Sequence, residues 1–331
     1  MKETLHRLIQ HEYLSQAEAK QVLVDIAQGQ HNPSQIAAFL TVYMMRPVAA
    51  AELEGFRNAL LELCIPIDLK AFDPIDLCGT GGDGKDTFNI STLASFVTAA
   101  AGVPVAKHGN YGVSSSCGSS NVMEHLGIAF SNDQAFLQHC MEKAGICVLH
   151  APLFHPAMKN VAPIRRDLGV KTFFNMLGPM VNPAFPKYQL VGVFNLELAR
   201  LYGYLYQNTD KKYTIVHALA GYDEVALTGP AKVIRNAAES LLEPADFGLT
   251  TLTAEAIAGG DSVPAAAEIF LKVLRGEGTE AQHQVVCANA ALAIATKLDC
   301  DLNTAYQKAE NALANGHALK AFETLQKLSA S

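Results

Sequence analysis

The residues with the clearest chemistry lie in a short segment, positions 76–92, that runs from apolar to glycine-rich. It contains four glycines within six residues: Gly79, Gly81, Gly82 and Gly84. An Asn-Ile-Ser-Thr sequence and an apolar stretch follow, so the order predicts a strand, a loop and a helix N-terminus. Glycine permits positive φ and close backbone approach, and a helix N-terminus presents unpaired N–H groups. The segment therefore predicts an anion site, most often one for phosphate.

A second polar, glycine-rich segment spans 103–120, again between a predicted strand and a predicted helix. Lys107 supplies an ammonium, His108 an imidazole and Asn110 an amide, and several hydroxyls follow. Such groups suit a sugar phosphate, although the composition alone fits a polar surface loop equally well. Ligands of open α/β sheets bind where the strands end, so two such loops favour a phosphate site. Neither loop has the spacing of a P-loop or of an ordinary dinucleotide-binding motif.

Two arginines near the middle of the chain have the chemistry to bind a carboxylate. Four residues there recur at helical spacing and would share one face of a helix: His155, Met158, Ala162 and Arg165. A guanidinium can grip both oxygens of a carboxylate. Without further context, the pair Arg165–Arg166 reads more simply as a helix end whose cations complement the dipole.

Asp223 and Glu224 place two carboxylates directly after an apolar strand. An isolated Asp-Glu pair is usually a solvated turn. Its position after the predicted strand 213–218, however, brings it to the same sheet edge as the two glycine-rich loops. Mg²⁺ prefers hard oxygen ligands and commonly bridges carboxylates to substrate phosphates. No cysteine–histidine cluster and no HExxH spacing competes as a transition-metal site.

Residues 1 to about 65 read as wholly helical. Ser15 and Glu18 form a capping box ahead of apolar residues at helical spacing. Asn32-Pro33 opens the next helix, Pro47 ends it, and a further helix is predicted over about 49–63. Helices this short need packing partners, so the segment predicts a small helical subdomain, with 66–74 as the crossing to a second region. A bundle used only for subunit contact is the alternative.

From position 74 onward, short apolar strands alternate with helices. The predicted strands are 75–78, 103–106, 146–149, 190–194 and 213–218. The predicted helices are 92–101, 121–126, 133–143, 196–206 and three more after about position 265. This alternation predicts a largely parallel sheet covered by helices.

The overall composition excludes several classes of protein. The chain has 331 residues, of which 50% are hydrophobic and 17% charged, enough for a sizeable core in one large domain or two unequal ones. No apolar run approaches the roughly 18 residues of a membrane helix, and the amphipathic N-terminus does not predict a signal peptide. Seven cysteines without a CxxC pair favour reduced thiols in the cytosol. A net charge of −7 without a dense basic run argues against nucleic acid as the main partner.

Four motifs resemble, in order and spacing, those of the anthranilate phosphoribosyltransferases, which have the nucleoside-phosphorylase-like (class III) phosphoribosyltransferase fold. The motifs are Gly79-Thr-Gly-Gly-Asp83, Asn89-Ile-Ser-Thr92, Lys107-His-Gly-Asn110, and Ser114-Ser115 with Gly118-Ser119. The resemblance covers the whole chain. It departs at Tyr111-Gly112, where the family commonly has Arg-Ala or Arg-Ser, and at Ser120-Asn121, where it commonly has Ala-Asp. The first departure removes a cation beside the sugar phosphate.

The resemblance implies an α/β protein with a small all-helical N-terminal domain and a large domain whose mostly parallel central sheet is covered by helices. The expected boundaries are 1–66 for the helical domain, joined by part of about 160–185, and 72–331 for the α/β domain that binds phosphoribosyl pyrophosphate. The resemblance further implies a homodimer through the N-terminal helical domain, a cytoplasmic location, and neither nucleic acid nor membrane as a partner.

The resemblance also assigns ligands to individual residues. Phosphoribosyl pyrophosphate would be bound by Gly79, Thr80, Gly82, Asp83, Thr87, Asn89, Ile90, Ser91, Thr92, Lys107, His108, Gly109, Asn110, Ser114, Ser115 and Ser119. Anthranilate would be bound by Gly79, Asn110, His155, Arg165 and Pro179. Mg²⁺ would be bound by Ser91, Asp223 and Glu224. Lys107, Asn110 and Arg165 would position the substrates and supply charge, and no catalytic acid or base is implied.

The implied reaction transfers the phosphoribosyl group to the amine of anthranilate, as in tryptophan biosynthesis. An aromatic amine is neutral at pH 7 and needs no strong base, which agrees with the lack of a Ser/His/Asp or Cys/His arrangement. A pyrimidine nucleoside phosphorylase is one alternative, but it would need a different phosphate motif, rich in lysine, serine and threonine. A non-catalytic, nucleic-acid-binding paralogue is another, and it would need a basic surface.

Overall fold

A computed structural model describes residues 1–112, 117–236 and 238–330. The chain divides into two compact units. The helical unit comprises Met1–Pro66 and Ala151–Pro183, and the sheet unit comprises Ile67–His150 and Ala184–Ser331. Of the predicted site residues, Ser114 and Ser115 lie outside the described residues. The boundaries expected from the sequence, 1–66 and 72–331, stay a prediction about independently folding domains.

The described residues contain helices in both units and strands in the sheet unit alone. The helices are α1 (Lys2–Ile9), α2 (Gln16–Ala27), α3 (Pro33–Met45), α4 (Ala50–Leu63), α5 (Ile90–Ala100), α6 (Ser119–His125), α7 (Gln134–Ala144), α8 (Ala151–Phe154), α9 (Ala162–Leu168), α10 (Leu196–Tyr206), α11 (Val263–Leu274), α12 (Glu280–Leu298), α13 (Leu302–Ala314) and α14 (His317–Ser329). The strands are β1 (Ile75–Gly79), β2 (Val105–Gly109), β3 (Ile146–His150), β4 (Tyr188–Gly192), β5 (Lys212–Ala218), β6 (Ala231–Arg235) and β7 (Ala238–Leu242).

The helical unit begins its helices where the sequence predicts. The Ser15 side chain accepts from the Glu18 N–H while the Glu18 carboxylate accepts from the Ser15 N–H, which confirms the capping box of α2. Asn32 caps α3 in the same way, with Pro33 in its first turn. Each of these caps is formed by residues three positions apart in the sequence, which is why the sequence alone predicts them correctly.

A buried carboxylate ties the first helices of this unit together. The Glu52 side chain is fully buried and accepts from the Leu14 N–H at 3.0 Å, the Tyr43 hydroxyl at 2.9 Å and the Ala49 N–H at 2.9 Å. The Arg46 guanidinium donates to both of its oxygens, at 2.5 and 3.0 Å. A buried charge that is paired and fully hydrogen-bonded fixes the relative placement of the segments that supply its partners.

The sheet unit has a mixed, seven-stranded sheet with the order β3-β2-β1-β4-β5-β6-β7. The strands from β3 to β5 pair in parallel, and β6 and β7 pair antiparallel at one edge. Helix α12 packs against α5 and against β4 and β5, and its side chains from Val285 to Thr296 are buried. The predicted fold class, a mostly parallel sheet covered by helices beside a helical N-terminal region, is confirmed.

Three sequence predictions about elements need correction. The five predicted strands form with shifted ends, but β6 and β7 were not predicted, and β7 is exposed along most of its length and carries no alternating apolar pattern. Four helices, not three, follow position 262, and the first of them begins at Val263. The predicted single helical face through His155, Met158, Ala162 and Arg165 is wrong. The chain leaves helical geometry at His155, ahead of Pro156, passes through a 3₁₀ turn (Pro156–Asn160) and enters α9 only at Ala162.

Among the helices that the structure describes, none combines the length and the apolarity that a membrane span needs.

Candidate active site

The first glycine-rich loop connects β1, which ends at Gly79, to α5, which begins at Ile90. Gly81 and Gly84 have φ of 62° and 73°, and a Cβ on either would meet open space. The backbone conformation therefore requires glycine at these two positions, because side chains rarely adopt such φ values. The Thr80 N–H donates to the Gly192 carbonyl at 2.9 Å, so the loop continues the pairing of β1 with β4 for one residue.

Asp223 docks into this loop at the carboxyl ends of β1 and β4. The Gly81 N–H donates to Asp223 Oδ2 at 2.7 Å. A Cβ on Gly79 would overlap that same carboxylate oxygen, and a Cβ on Gly192 would overlap the Asp223 carbonyl oxygen. Gly79 and Gly192 are therefore required by the close approach of Asp223, and not by a special φ.

The carboxyl groups of Asp223 and Glu224 both have raised pKa values. Burial, reinforced by the charge of Asp83, raises the pKa of Asp223 to about 7. Burial and the charge of Asp223 raise the pKa of Glu224 well above its usual range, although the Thr87 hydroxyl donates to Glu224 Oε1 at 2.8 Å. Raised values of this kind show that the site disfavours its own negative charge. A cation bound there would reverse that preference, so the donor set fits a hard metal ion.

Asn289 of α12 holds the backbone of this acidic segment in place. Its side chain accepts from the Val225 N–H at 3.0 Å and donates to the Val225 carbonyl at 2.8 Å, as a neighbouring strand would. Sequence reasoning did not assign Asn289 or Gly192 to the site. Gly192 carried a usable signal, because a single glycine within an apolar strand often marks a close backbone approach.

The second predicted segment reaches the same edge from β2, and its cation is more deeply buried than expected. Lys107 Nζ donates to the Leu77 carbonyl of β1 at 2.8 Å. Burial lowers the pKa of Lys107, and the surrounding carboxylates, including Glu224, oppose that shift. The His108 side chain is also buried, and the backbone N–H of His108 donates to Asp76 Oδ1 at 3.0 Å. The exposed residue of the group is Asn110, one position beyond the strand.

The Asn-Ile-Ser-Thr motif forms the start of α5. Asn89 precedes the helix, and its amide donates to the Cys117 carbonyl at 3.3 Å, which links the two glycine-rich segments. Ile90 is buried and Ser91 half-buried in the first turn. The buried hydroxyls of Thr80 and Thr92 have no hydrogen-bond partner within the described part of the chain.

In the helical unit, Arg165 lies half-buried on α9. Its guanidinium donates to Asn175 Oδ1 at 3.2 Å and lies over the Phe174 ring, 5.2 Å from the centroid. Burial lowers the pKa of the Arg165 side chain. Burial also lowers the pKa of His155 to about 4, against hydrogen bonds with the backbone of Val181 and Leu60, so this imidazole is neutral at pH 7. Pro179 is buried in a 3₁₀ turn.

The structure thus brings together the predicted residues of positions 79–92, 107–110 and 223–224, all in the sheet unit, while Arg165, His155 and Pro179 lie in the helical unit. Within the described ranges, no group of three or more His, Cys, Asp or Glu side chains could hold a metal by itself. A Mg²⁺ ion would therefore complete its coordination with ligand oxygens, as this ion usually does.

Replacing Gly192 by alanine should destabilise the protein, because the new methyl group would overlap the Asp223 backbone. We expect the free energy of unfolding to fall by about 3 kcal/mol, measured by urea titration with circular dichroism. Gly203→Ala is the matched control, since a Cβ there would meet Ile234 at an ordinary 3.5 Å. Equal stability of the two variants would contradict the docking of Asp223 against β4.

The sequence and the fold both match known proteins. The helical bundle domain of a glycosyl transferase family matches residues 2–64, and the α/β domain of that family matches residues 72–319. An anthranilate phosphoribosyltransferase of Flavobacterium johnsoniae is 64% identical over 329 residues, which are 99% of this chain and 100% of the relative. One of Flavobacterium psychrophilum is 65% identical over the same length.

Solved structures agree with the sequence relatives. The anthranilate phosphoribosyltransferase of Thermus thermophilus superposes with a TM-score of 0.91 at 31% identity and covers 99% of each chain. The enzyme of Saccharomyces cerevisiae, in complex with phosphoribosyl pyrophosphate and Mg, superposes with a TM-score of 0.91 at 26% identity, over 98% of this chain and 96% of the other. With relatives this similar over nearly its whole length, the chain belongs to the anthranilate phosphoribosyltransferase family.

Proposed function

We propose that this chain transfers the phosphoribosyl group of phosphoribosyl pyrophosphate to the amine of anthranilate, in tryptophan biosynthesis. The bond from ribose C1 to the diphosphate oxygen breaks, a bond from C1 to the amine nitrogen forms, and the amine releases a proton. The observation that carries the proposal is the convergence of the glycine loop, Lys107 and the Asp223–Glu224 pair at one edge of the sheet, fixed by the hydrogen bond from Gly81 to Asp223. A full-length relative of that name, 64% identical, supports the choice of substrates.

The donor would be bound by the two glycine-rich segments. Backbone N–H groups of 79–84 and the unpartnered hydroxyls of Thr80 and Thr92 offer donors for diphosphate oxygens. Asn89, Asn110 and Ser119 offer further polar contacts for the ribose and its phosphate. Preorganised donors aimed at a leaving group stabilise the charge that develops on it in the transition state.

Mg²⁺ would be held by Asp223 and Glu224, with Ser91 as the third predicted protein ligand, and by oxygens of the donor. When bound, it would neutralise negative charge on the departing diphosphate. Asp223 has its carboxylate placed by Gly81, and Glu224 has its carboxylate placed by Thr87. The protein therefore fixes both oxygen ligands before any ion arrives.

The acceptor would be bound in the helical unit. Arg165 would hold the anthranilate carboxylate, and the Phe174 ring beneath the guanidinium restricts how that group can turn. His155 is buried, and its lowered pKa keeps the imidazole neutral at pH 7. This suits a residue that lines the proposed anthranilate site and does not exchange protons with the substrate. The neutral aromatic amine needs no base to become a nucleophile, so positioning is the main demand on these residues.

The activity can be measured as loss of anthranilate fluorescence when phosphoribosyl pyrophosphate and Mg²⁺ are added. We expect Asp223→Asn to lower kcat/KM by about 100-fold, because Mg²⁺ would lose one of its proposed carboxylate ligands and with it part of the stabilisation of the leaving diphosphate. Asp299→Asn is the control, since that carboxylate is 93% exposed and asparagine tolerates its positive φ of 52°. Wild-type protein that leaves anthranilate unchanged but splits thymidine with phosphate would show the alternative, a nucleoside phosphorylase.

Arg165→Ala should raise the KM for anthranilate about 30-fold, the usual effect of losing a charge-assisted hydrogen bond, and should leave the KM for phosphoribosyl pyrophosphate nearly unchanged. Arg166→Ala is the matched control, because Arg166 is the exposed neighbour on the same helix. Initial rates with each substrate varied in turn separate the two constants. The acceptor assignment is wrong if the donor KM changes more than the anthranilate KM.

The chain is further proposed to be a homodimer through its helical unit. Several apolar side chains of that unit are exposed, and they lie near the ends of α1 and α3: Ile9, Tyr13, Met44 and Met45. Burial of such a patch against a second copy would remove it from water. The free cysteines and the metabolic substrates support a cytoplasmic location.

Met45→Glu should weaken the dimer by about 10-fold or more, because a charge would enter the proposed apolar interface. Sedimentation equilibrium of the purified variant gives the dissociation constant directly. Leu298→Glu in the sheet unit is the control, since Leu298 is also exposed. A wild-type chain that sediments as one copy at micromolar concentration would exclude the proposed dimer.

A further inference from the structure

Tyr111 makes a set of contacts that no step of the proposed reaction uses. Its hydroxyl donates to Glu124 Oε1 at 3.2 Å, and its ring packs edge-on against the His150 imidazole, with the centroids 4.7 Å apart. His150 in turn stacks on Phe130 at 4.4 Å. The backbone N–H of Tyr111 donates to Asn110 Oδ1 at 2.8 Å. The side chain of Asn110, a residue predicted to contact both substrates, is thus fixed by the backbone of Tyr111.

The next residues are fixed by a single side-chain oxygen. Asn121 Oδ1 accepts from the Gly112 N–H at 2.9 Å and from the Gly118 N–H at 3.0 Å. The two glycines lie so close that a Cβ on Gly118 would overlap the backbone of Tyr111 and Gly112. One amide therefore joins the two ends of the segment between β2 and α6.

The first turn of α6 completes the arrangement. The Ser120 N–H and the Ser119 hydroxyl both donate to the Asn110 carbonyl, at 3.1 and 3.3 Å. The Ser120 hydroxyl is 2.9 Å from His150 Nδ1, and both side chains are buried. The His150 ring therefore contacts both Tyr111 and Ser120. It connects the exposed tyrosine to the buried first turn of α6.

We propose that Tyr111, Asn121, Glu124 and His150 form a clamp that positions Asn110 and Ser119 for the donor; this inference rests on the proposed function. The clamp lies at the positions where the sequence departs from the motifs of the family it resembles, at Tyr111-Gly112 and at Ser120-Asn121. A segment held in its binding conformation loses less entropy when the ligand arrives. The affinity for phosphoribosyl pyrophosphate would thus depend on how firmly Asn110 and Ser119 are held in place, because position 111 carries a tyrosine and not a cation.

The outer part of the clamp contributes little to global stability. Tyr111 is 37% exposed and Glu124 is exposed, so few apolar atoms are buried by their contact. Loss of that contact should loosen Asn110 and Ser119 while the core of the sheet unit stays folded. Donor binding and the thermal midpoint will therefore respond differently, and this difference distinguishes positioning from general support of the fold.

A double-mutant cycle tests the contact between Tyr111 and Glu124. Tyr111→Phe and Glu124→Ala should each raise the dissociation constant of phosphoribosyl pyrophosphate with Mg²⁺ about threefold, and the double variant should be no weaker than either single one. Glu124→Gln keeps an acceptor and should restore wild-type affinity. Tyr111→Ala also loses the ring contact and should weaken binding about 20-fold. Titration calorimetry measures each constant.

Cys117 provides a readout that needs no substrate. It is half-buried and lies beside Gly118, within the segment that Asn121 closes. If the clamp holds Gly112 and Gly118 together, Tyr111→Ala and Asn121→Ala should each increase the rate at which iodoacetamide modifies the neighbouring Cys117, by about 10-fold. Peptide mapping by mass spectrometry assigns the modified thiol, with the half-buried Cys300 of the α12–α13 connection as an internal reference.

Tyr204→Phe and Tyr204→Ala are the matched controls, because Tyr204 is a 57% exposed tyrosine on α10. The clamp is excluded if the effects of Tyr111→Phe and Glu124→Ala are additive, or if Tyr111→Ala changes neither donor affinity nor Cys117 reactivity. It is also excluded if the thermal midpoint falls in proportion to the loss of affinity. Should Tyr111→Ala not fold, the cycle with Tyr111→Phe still decides. If wild-type protein binds no donor, the proposed function fails, and the Cys117 rates test the clamp on their own.

Discussion

The docking of Asp223 onto the ends of β1 and β4 is the constraint on which the site depends. The Asp223 carboxylate occupies the space that a Cβ on Gly79 would need, and its carbonyl oxygen occupies the space that a Cβ on Gly192 would need. The same carboxylate accepts a hydrogen bond from the Gly81 N–H. The glycine loop and the acidic segment are therefore not separate elements. Each contacts the other directly, and Asn289 holds the acidic segment through two hydrogen bonds to the backbone of Val225.

This constraint creates an imbalance of charge that the protein alone does not remove. Asp223 and Glu224 have raised pKa values, mainly through burial, and the charge of Asp83 acts in the same direction. Lys107 is the cation that acts on them, but it is buried and donates to a backbone carbonyl. A substrate that brings a divalent ion with its diphosphate, as in the proposed reaction, would supply positive charge at the sheet edge where the N–H groups of the glycine loop lie.

The sequence predicted best what depends on neighbouring residues. The strand, glycine loop and helix of β1 to α5, and the caps of α2 and α3, follow from local patterns and are confirmed. The face through His155 and Arg165 was wrong because spacing was counted across Pro156, where the chain leaves the helix. The edge strand β7 is exposed and lacks the alternation that reveals a half-buried strand. Gly192 and Asn289 were missed as site residues because their partners, Asp223 and Val225, lie far away in the sequence. The glycine within β4 indicates a close backbone approach, but it does not say which residue makes it.

Tyr111, Gly112, Ser120 and Asn121 belong to one set of contacts. The Asn121 amide binds the backbone of Gly112, and the Tyr111 ring lies on His150, which also holds the first turn of the helix that carries Asn121. A cation at position 111 would attract the sugar phosphate over several ångströms, whereas a tyrosine acts only through the groups it touches. On the proposed function, this chain would therefore depend on a fixed backbone at position 111 and not on long-range attraction. Such a fixed backbone needs the contacting residues to be present together, because Asn121, His150 and Tyr111 each hold a different part of the same segment end.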